Sequence, residues 1–266
     1  MIALAFLTLL AANTLVMPEV LRASFGIDPN RQTLARRLQA PSAEHLLGTD
    51  DLGRDTLART IVAGQVSLAI GLTVAAVSLL IGVPVGLFSG YFGGWFDDVT
   101  NIIIQTLANI PSLFLLILLV ATFRPDPFTL AAVIGALGWM GAARLVRGSS
   151  LAARERDYVL AARSMGATDT RIVIYHVLPN VFSLVTVIAG FDVAGGILAE
   201  SGLSYLGLGV LPPTASWGNM LASSLENVTR APWLVLFPGL AICATTLAIF
   251  LLADGLRDAL DPRLRA

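Results

Sequence analysis

The chain has 266 residues, 56% of them hydrophobic and only 13% charged, with a net charge of −1. A water-soluble domain carries about 25% charged residues over its core, so lipid is the expected solvent for much of this surface, and the near-neutral balance excludes a broad basic field for nucleic acid. All 17 basic side chains are Arg, so the chain lacks the Lys of a G-x-x-x-x-G-K-[ST] phosphate loop and is not its own ATPase.

Crossing a bilayer as a helix takes about 20 predominantly apolar residues. Six segments meet or approach that length, at about 1–17, 66–88, 99–123, 128–146, 181–198 and 233–253. The expected class is all-α, a polytopic membrane bundle of about six transmembrane helices. The first segment has no charged leader region and further spans follow it, so it reads as a true span rather than a signal peptide, with little or nothing preceding it on the cytoplasmic side. The polar stretch from Pro18 to Gly64 balances six Arg against six acids. Its end, from Asp51 to Ile61, reads as a short amphipathic helix lying on the membrane surface. Asp51 would cap it, Asp55 and Arg59 would pair at i,i+4, and Leu57 and Ile61 would share a face.

The second span carries Gly82, Gly86, Gly90 and Gly94 at four-residue spacing, a stripe that lets a neighbouring backbone approach closely. Pro84 and Pro111 are expected to kink the second and third spans. Four polar residues are candidates for lining a translocation path. Gln105 and Asn109 lie one turn apart on the third span, where hydrogen bonding between helices is the favoured alternative. Asp192 and Glu200 belong to the fifth span. A carboxylate in hydrocarbon is costly and faces a cavity or a partner, so an aqueous path competes there with an interfacial position or a helix–helix hydrogen bond. An intramembrane enzyme is disfavoured, because these two acids sit about 12 Å apart along one helix and form no dyad. Cys243 lies in an apolar run and has no second cysteine to pair with. His45 and His176 stand alone, without metal-ligand spacing, and no G-x-S-x-G elbow occurs.

Arg placement sets the expected orientation. The loop between spans four and five holds Arg144, Arg147, Arg154, Arg156, Arg163 and Arg171, and the C-terminal tail adds Arg257, Arg263 and Arg265. That loop and both termini are expected on the cytoplasmic side. Within the loop, periodicity predicts a helix from about Leu151 to Met165, with Tyr158, Ala161, Ala162 and Met165 on one face. Gly166 sits where a helix ends in a left-handed residue. Thr168 can cap a second short helix, which Pro179 would end. A hairpin with an apolar tip and an Arg rim suits a groove on another protein.

The hairpin resembles the E-A-A loop of bacterial ABC importer permeases. The triplet is Leu160-Ala161-Ala162, followed after three residues by Gly166, and after nine more by His176, Val177 and Leu178-Pro179. Leu160 replaces the Glu of the general motif and His176 its Ile. The form D-Y-V-x-A-A-R-x-x-G-A, beginning at Asp157, is typical of the dipeptide, oligopeptide and nickel branch. Three further stretches are similar to that branch. They are His45-Leu-Leu-Gly-Thr-Asp-Asp-Leu-Gly-Arg-Asp, then Leu203-Ser-Tyr-Leu-Gly-Leu-Gly with Pro212-Pro-Thr-Ala-Ser-Trp-Gly-Asn-Met, and finally Asp254-Gly-Leu-Arg-Asp-Ala-Leu-Asp-Pro-Arg-Leu. The arrangement is similar to the second permease of dipeptide systems, whose members usually carry more residues ahead of the first span.

The resemblance implies a type I ABC importer (MetI-like) permease fold. Residues 1–64 would form the first transmembrane helix and an extracytoplasmic loop, and residues 65–266 the permease domain with its coupling loop at about 151–179. The implied partners are a homologous second permease, cytoplasmic ABC ATPase subunits that bind ATP and Mg, an extracytoplasmic substrate-binding protein and a peptide-like substrate, all in a bacterial cell membrane. No cofactor is expected in this chain. By the same resemblance Asp157, Tyr158, Ala161, Ala162, Arg163, Gly166 and Ala167 form the ATPase-coupling element. The alternative function is a stand-alone secondary transporter or channel; no repeat between the two halves supports it.

Overall fold

The computed structural model describes residues 4–10, 12, 14, 16, 28–123 and 125–260. The first expected span lies largely outside them, although 4–10 are helical. The helices are α1 (Thr56–Phe92), α2 (Gly94–Ala108), α3 (Ser112–Phe123), α4 (Pro127–Arg154), α5 (Asp157–Ser164), α6 (Asp169–Ile172), α7 (Leu178–Tyr205), α8 (Trp217–Ser224) and α9 (Trp233–Leu260). Among the described residues, four helical stretches are long and apolar enough to cross a bilayer, and α2 with α3 makes a fifth if that bent pair is one span.

The surface helix expected from Asp51 to Ile61 does not form. Residues 50–54 are a turn instead: Asp50 Oδ1 accepts from the Leu52 and Arg54 amides, and Gly53 adopts φ +72. The helix therefore starts one turn later, with Asp55 as its cap, accepting from the Ala58 amide at 2.8 Å. From Thr56 it runs without a break into the second span, as a single helix of 37 residues. Asp55 does not pair with Arg59. Its Oδ2 accepts from His45 Nδ1 at 2.8 Å, and Arg36 Nη1, which can only donate, lies 3.2 Å from His45 Nε2. Arg59 reaches Asn30 Oδ1 at 3.0 Å and Asp50 at 3.7 Å.

The glycine stripe sets the central helix pair. A Cβ on Gly82 would lie 2.7 Å from the Trp139 carbonyl, one on Gly86 2.5 Å from that of Ala143, and one on Gly90 2.5 Å from that of Arg147. Only glycine allows this backbone-to-backbone approach, which maximises dispersion contact where lipid gives no hydrophobic drive. Gly94 is not part of the stripe: it opens α2 at φ +60 with nothing nearby. The register rises on both helices together, so α1 and α4 run parallel. The chain between them must return to its starting end, so α2–α3 is a broken span rather than a re-entrant loop. The pair bends by 74°. Pro111 lacks the N–H that would continue the ladder and pushes Ile110 away from helical geometry.

The α7 helix runs antiparallel to α1, with Gly71 against Val193 and Ile197, and Gly196 against Val74. It packs on α9 through Gly190 and Ala253. Pro179 does not end a helix as expected. A π-turn at Val173–Val177 joins α6 to α7, and Pro179 sits in the first turn of α7. The wider turn removes the clash between a proline ring and the carbonyl four residues back, so the helical run from Asp169 to Tyr205 is continuous.

Gly86→Ala should destabilise the bundle by about 1–3 kcal/mol, the usual cost of overpacking. Gly148→Ala, on the exposed side of α4 with no neighbour within 4 Å, should stay within about 1 kcal/mol of wild type. Thermal unfolding of the two variants in detergent measures the difference.

Candidate functional site

The hairpin between α4 and α7 is built differently from its expected form. The predicted helix from Leu151 to Met165 is two helices. Arg156 takes extended backbone at φ −80, ψ 147, and Asp157 opens α5, where a carboxylate suits the positive helix end. α5 closes as expected. Gly166 adopts φ +81, its amide bonds to the Arg163 carbonyl at 3.0 Å, and the Ala167 amide to that of Ala162 at 3.1 Å. These two bonds are a Schellman stop. Thr168 stands at the start of α6 but its side chain makes no cap.

The faces of α5 also differ from the expected set. Val159 and Ala162 are buried in a cluster with Leu87, Tyr91, Val146 and Ile172, and Ala167 packs at its edge. Tyr158, Leu160 and Met165 point out, 40%, 44% and 83% exposed. Ala161, Arg163 and Asp157 are exposed as well. Ala162 is thus part of the seat, and the tip is Leu160, Ala161 and Met165, with Tyr158 beside it. Gly166 has open space around its Cα.

Two polar knots hold this end together, and sequence reading found neither. In the first, Arg147 of α4 grips Asp97 of α2 with a two-pronged fork, Nε to Oδ1 at 2.5 Å and Nη2 to Oδ2 at 2.6 Å. Ser89 of α1 donates to the same carboxylate, as does Asn101 Nδ2 at 3.0 Å. Charge-assisted bidentate pairs of this kind are the strong ones. In the second, the Tyr91 hydroxyl donates to Asp169 Oδ1 at 2.6 Å and accepts from Arg163 Nη2 at 3.1 Å. The Tyr91 hydroxyl holds the Arg163 pKa above its ordinary value.

The four path candidates are not brought together as one polar lining. Gln105 and Asn109 lie on the exposed side of α2, where Asn109 Nδ2 donates to the Gln105 carbonyl at 2.8 Å. Asp192 is half-buried beside Ser78 of α1. Glu200 is fully buried at the opposite end of the bundle, where its Oε1 accepts from Ser204 Oγ at 2.6 Å and Ser216 Oγ at 2.7 Å. Ser216 also caps α8 in a capping box with Asn219. The Trp217 amide donates to Ser67 Oγ at 3.1 Å and its indole to the Thr60 carbonyl at 2.9 Å. Glu200 thus fastens the α8 hairpin to α7. The pattern Ser216-x-x-Asn219 was the available signal for α8.

A parallel pair locked by glycines, a broken span and a two-faced hairpin at one end define a polytopic membrane protein. The family described as binding-protein-dependent transport system inner membrane component matches residues 82–266, and the chain belongs to that family. It is a permease subunit of an ABC importer, a transport component rather than a catalyst, and these matches do not favour a stand-alone transporter. It is 40% identical over 266 residues to the oligopeptide transport system permease protein OppC of Mycobacterium bovis, covering 99% of this chain and 90% of that one. The OppC protein of Haemophilus influenzae is 42% identical over 226 residues, covering 84% of this chain and 73% of its own. A structure of the MetNI methionine ABC transporter in an inward-facing conformation matches the fold with TM-score 0.59 at 19% identity, over 74% of this chain and 94% of that one.

Glu200→Leu should cost about 2–4 kcal/mol, because it strands two buried hydroxyls, whereas Glu200→Gln keeps the accepting oxygen and should cost less than about 1.5 kcal/mol. Unfolding temperatures check this. Lost transport in a stable Gln variant would instead assign the charge to the path.

Proposed function

We propose that this permease subunit carries peptides and that α5 is the handle by which a separate ATPase drives it. The relatives named for oligopeptide transport support the substrate class. One observation carries the docking reading: α5 turns Val159 and Ala162 into its own bundle and leaves Leu160, Ala161 and Met165 uncovered. An apolar tip with no cover of its own and an Arg rim fits a groove in a partner. The small Ala161 and the open Gly166 let that partner's surface come close to the backbone.

On this reading the α5 end of the bundle is cytoplasmic, in line with the Arg excess there. ATP and Mg belong to the partner ATPases. A second, homologous permease completes the path, and an extracytoplasmic binding protein delivers the peptide at the end where α8 and residues 28–55 lie. Closing of the ATPases would shift the hairpin and swing the two permeases between access states, a rigid-body change.

The test is co-purification of the ATPase from cells producing the whole importer. Met165→Asp and Leu160→Asp should each reduce capture more than about tenfold, as for a charge placed in an interface hot spot. Gly166→Val, which strains the positive φ without meeting any neighbour, should reduce it as well. Undiminished capture and undiminished peptide uptake in all three variants would remove the docking assignment.

A further inference from the structure

Tyr91 sits in the last turn of α1, and its contacts reach three other elements. Its carbonyl accepts from Arg154 Nη1 of α4 at 3.3 Å. Its hydroxyl donates to Asp169 of α6 at 2.6 Å and accepts from Arg163 of α5 at 3.1 Å. The Arg163 guanidinium also lies 5.7 Å from the Tyr91 ring centre, within cation–π range. The ring is only 3% exposed, packed in the same cluster as Val159, Ala162 and Ile172. Beside it opens a cleft of about 560 Å³ lined by Tyr91, Arg154, Glu155, Arg163 and Asp169. The hairpin meets α1 through this apolar cluster and through polar bonds at the rim of the cleft, of which the Tyr91 hydroxyl makes two.

The other end of α1 is tied equally specifically. The Thr60 carbonyl and Ser67 hydroxyl accept from Trp217 of α8, and Asp55 holds His45 of the preceding loop. Between the two ends α1 spans 37 residues as one helix, about 55 Å of length at 1.5 Å per residue. We infer that Tyr91 is the transmission joint of this importer: its hydroxyl, shared by Arg163 and Asp169, converts a shift of the α5–α6 hairpin into a shift of α1, and thereby of the α8 end. Tyr91 acts here as a positioning residue. The inference rests on the docking reading of α5.

The experiment uses the complete importer in proteoliposomes with its binding protein and ATPases. Cross-linking of an Ala161→Cys variant to the ATPase tests the docking reading by itself; no cross-link sinks that reading, whatever Tyr91 does. Tyr91→Phe keeps the buried ring and deletes both hydroxyl bonds, and Asp169→Ala removes the exposed partner of one. Each variant should retain the ATPase and an unfolding temperature near wild type. Solute moved per ATP hydrolysed should fall by about fivefold or more, the range of a coupling interaction. The double variant should be no worse than Tyr91→Phe alone, because both delete the same bond. An unchanged solute-to-ATP ratio in Tyr91→Phe and Asp169→Ala, with the ATPase still cross-linked, overturns the joint and leaves docking intact. Loss of assembly in both variants also overturns it, making Tyr91 a fold element only.

Discussion

The contact of α1 with α4 is the constraint from which the rest of the bundle follows. In lipid the tails are as apolar as the side chains, so helices gain little by hiding Leu from solvent. What they gain is dispersion, which falls off steeply with a small gap. Gly82, Gly86 and Gly90 lack the Cβ atoms that would hold the two backbones apart. The register of that contact makes the helices parallel, so the chain that joins them must cross back from one end of the pair to the other. A break at Pro111 thus falls within a span. Elsewhere it would mark the turn of a hairpin.

Polar groups then bolt the ends. Hydrocarbon offers no partner to a free donor or acceptor, and the strongest side-chain bonds here lie near helix termini rather than in the middle. Asp97 with Arg147 and Ser89 closes the α5 end, and Glu200 with Ser204 and Ser216 closes the other. A carboxylate in a membrane protein invites a path assignment. Glu200 shows the competing use: one buried oxygen satisfies two hydroxyls from two elements and so fixes where a loop helix lands.

Much of this was legible in the sequence because hydropathy, glycine spacing and helix stops are local signals. The spans beginning near Val66, Phe128, Val181 and Trp233, the stripe from Gly82 to Gly90 and the left-handed Gly166 all depend on neighbours within a turn or two. What escaped depended on distant chain. Asp51 and Asp55 are equal as caps by residue type; the Asp50 turn and His45 decide between them. Pro179 looks like a helix end until the π-turn ahead of it is known. Tyr91 and Asp97 stand far from Arg147, Arg163 and Asp169 in sequence, and only the fold brings them together. The facing of α5 was misjudged because Ala161 and Ala162 are both small and neither declares its side by hydrophobicity.

The fate of those two alanines shows what a short handle on a membrane bundle requires. A helix of eight residues is far too short to be stable alone, since nucleation consumes most of what its hydrogen bonds return. It must borrow stability from the bundle through one face and still leave a face for its partner. Ala162, with Val159 beside it, is buried in the cluster that holds Ile172 and Tyr91, where a small side chain lets the helix sit close. Ala161 is small, on the docking reading, because a partner must reach the backbone from the other side. The same residue type thus answers opposite demands one position apart, and the Schellman stop at Gly166 keeps the helix from growing past its seat. A longer or more apolar α5 would hold the bundle better and move against it less, so the short, half-covered form is the one that can both stay seated and carry a displacement.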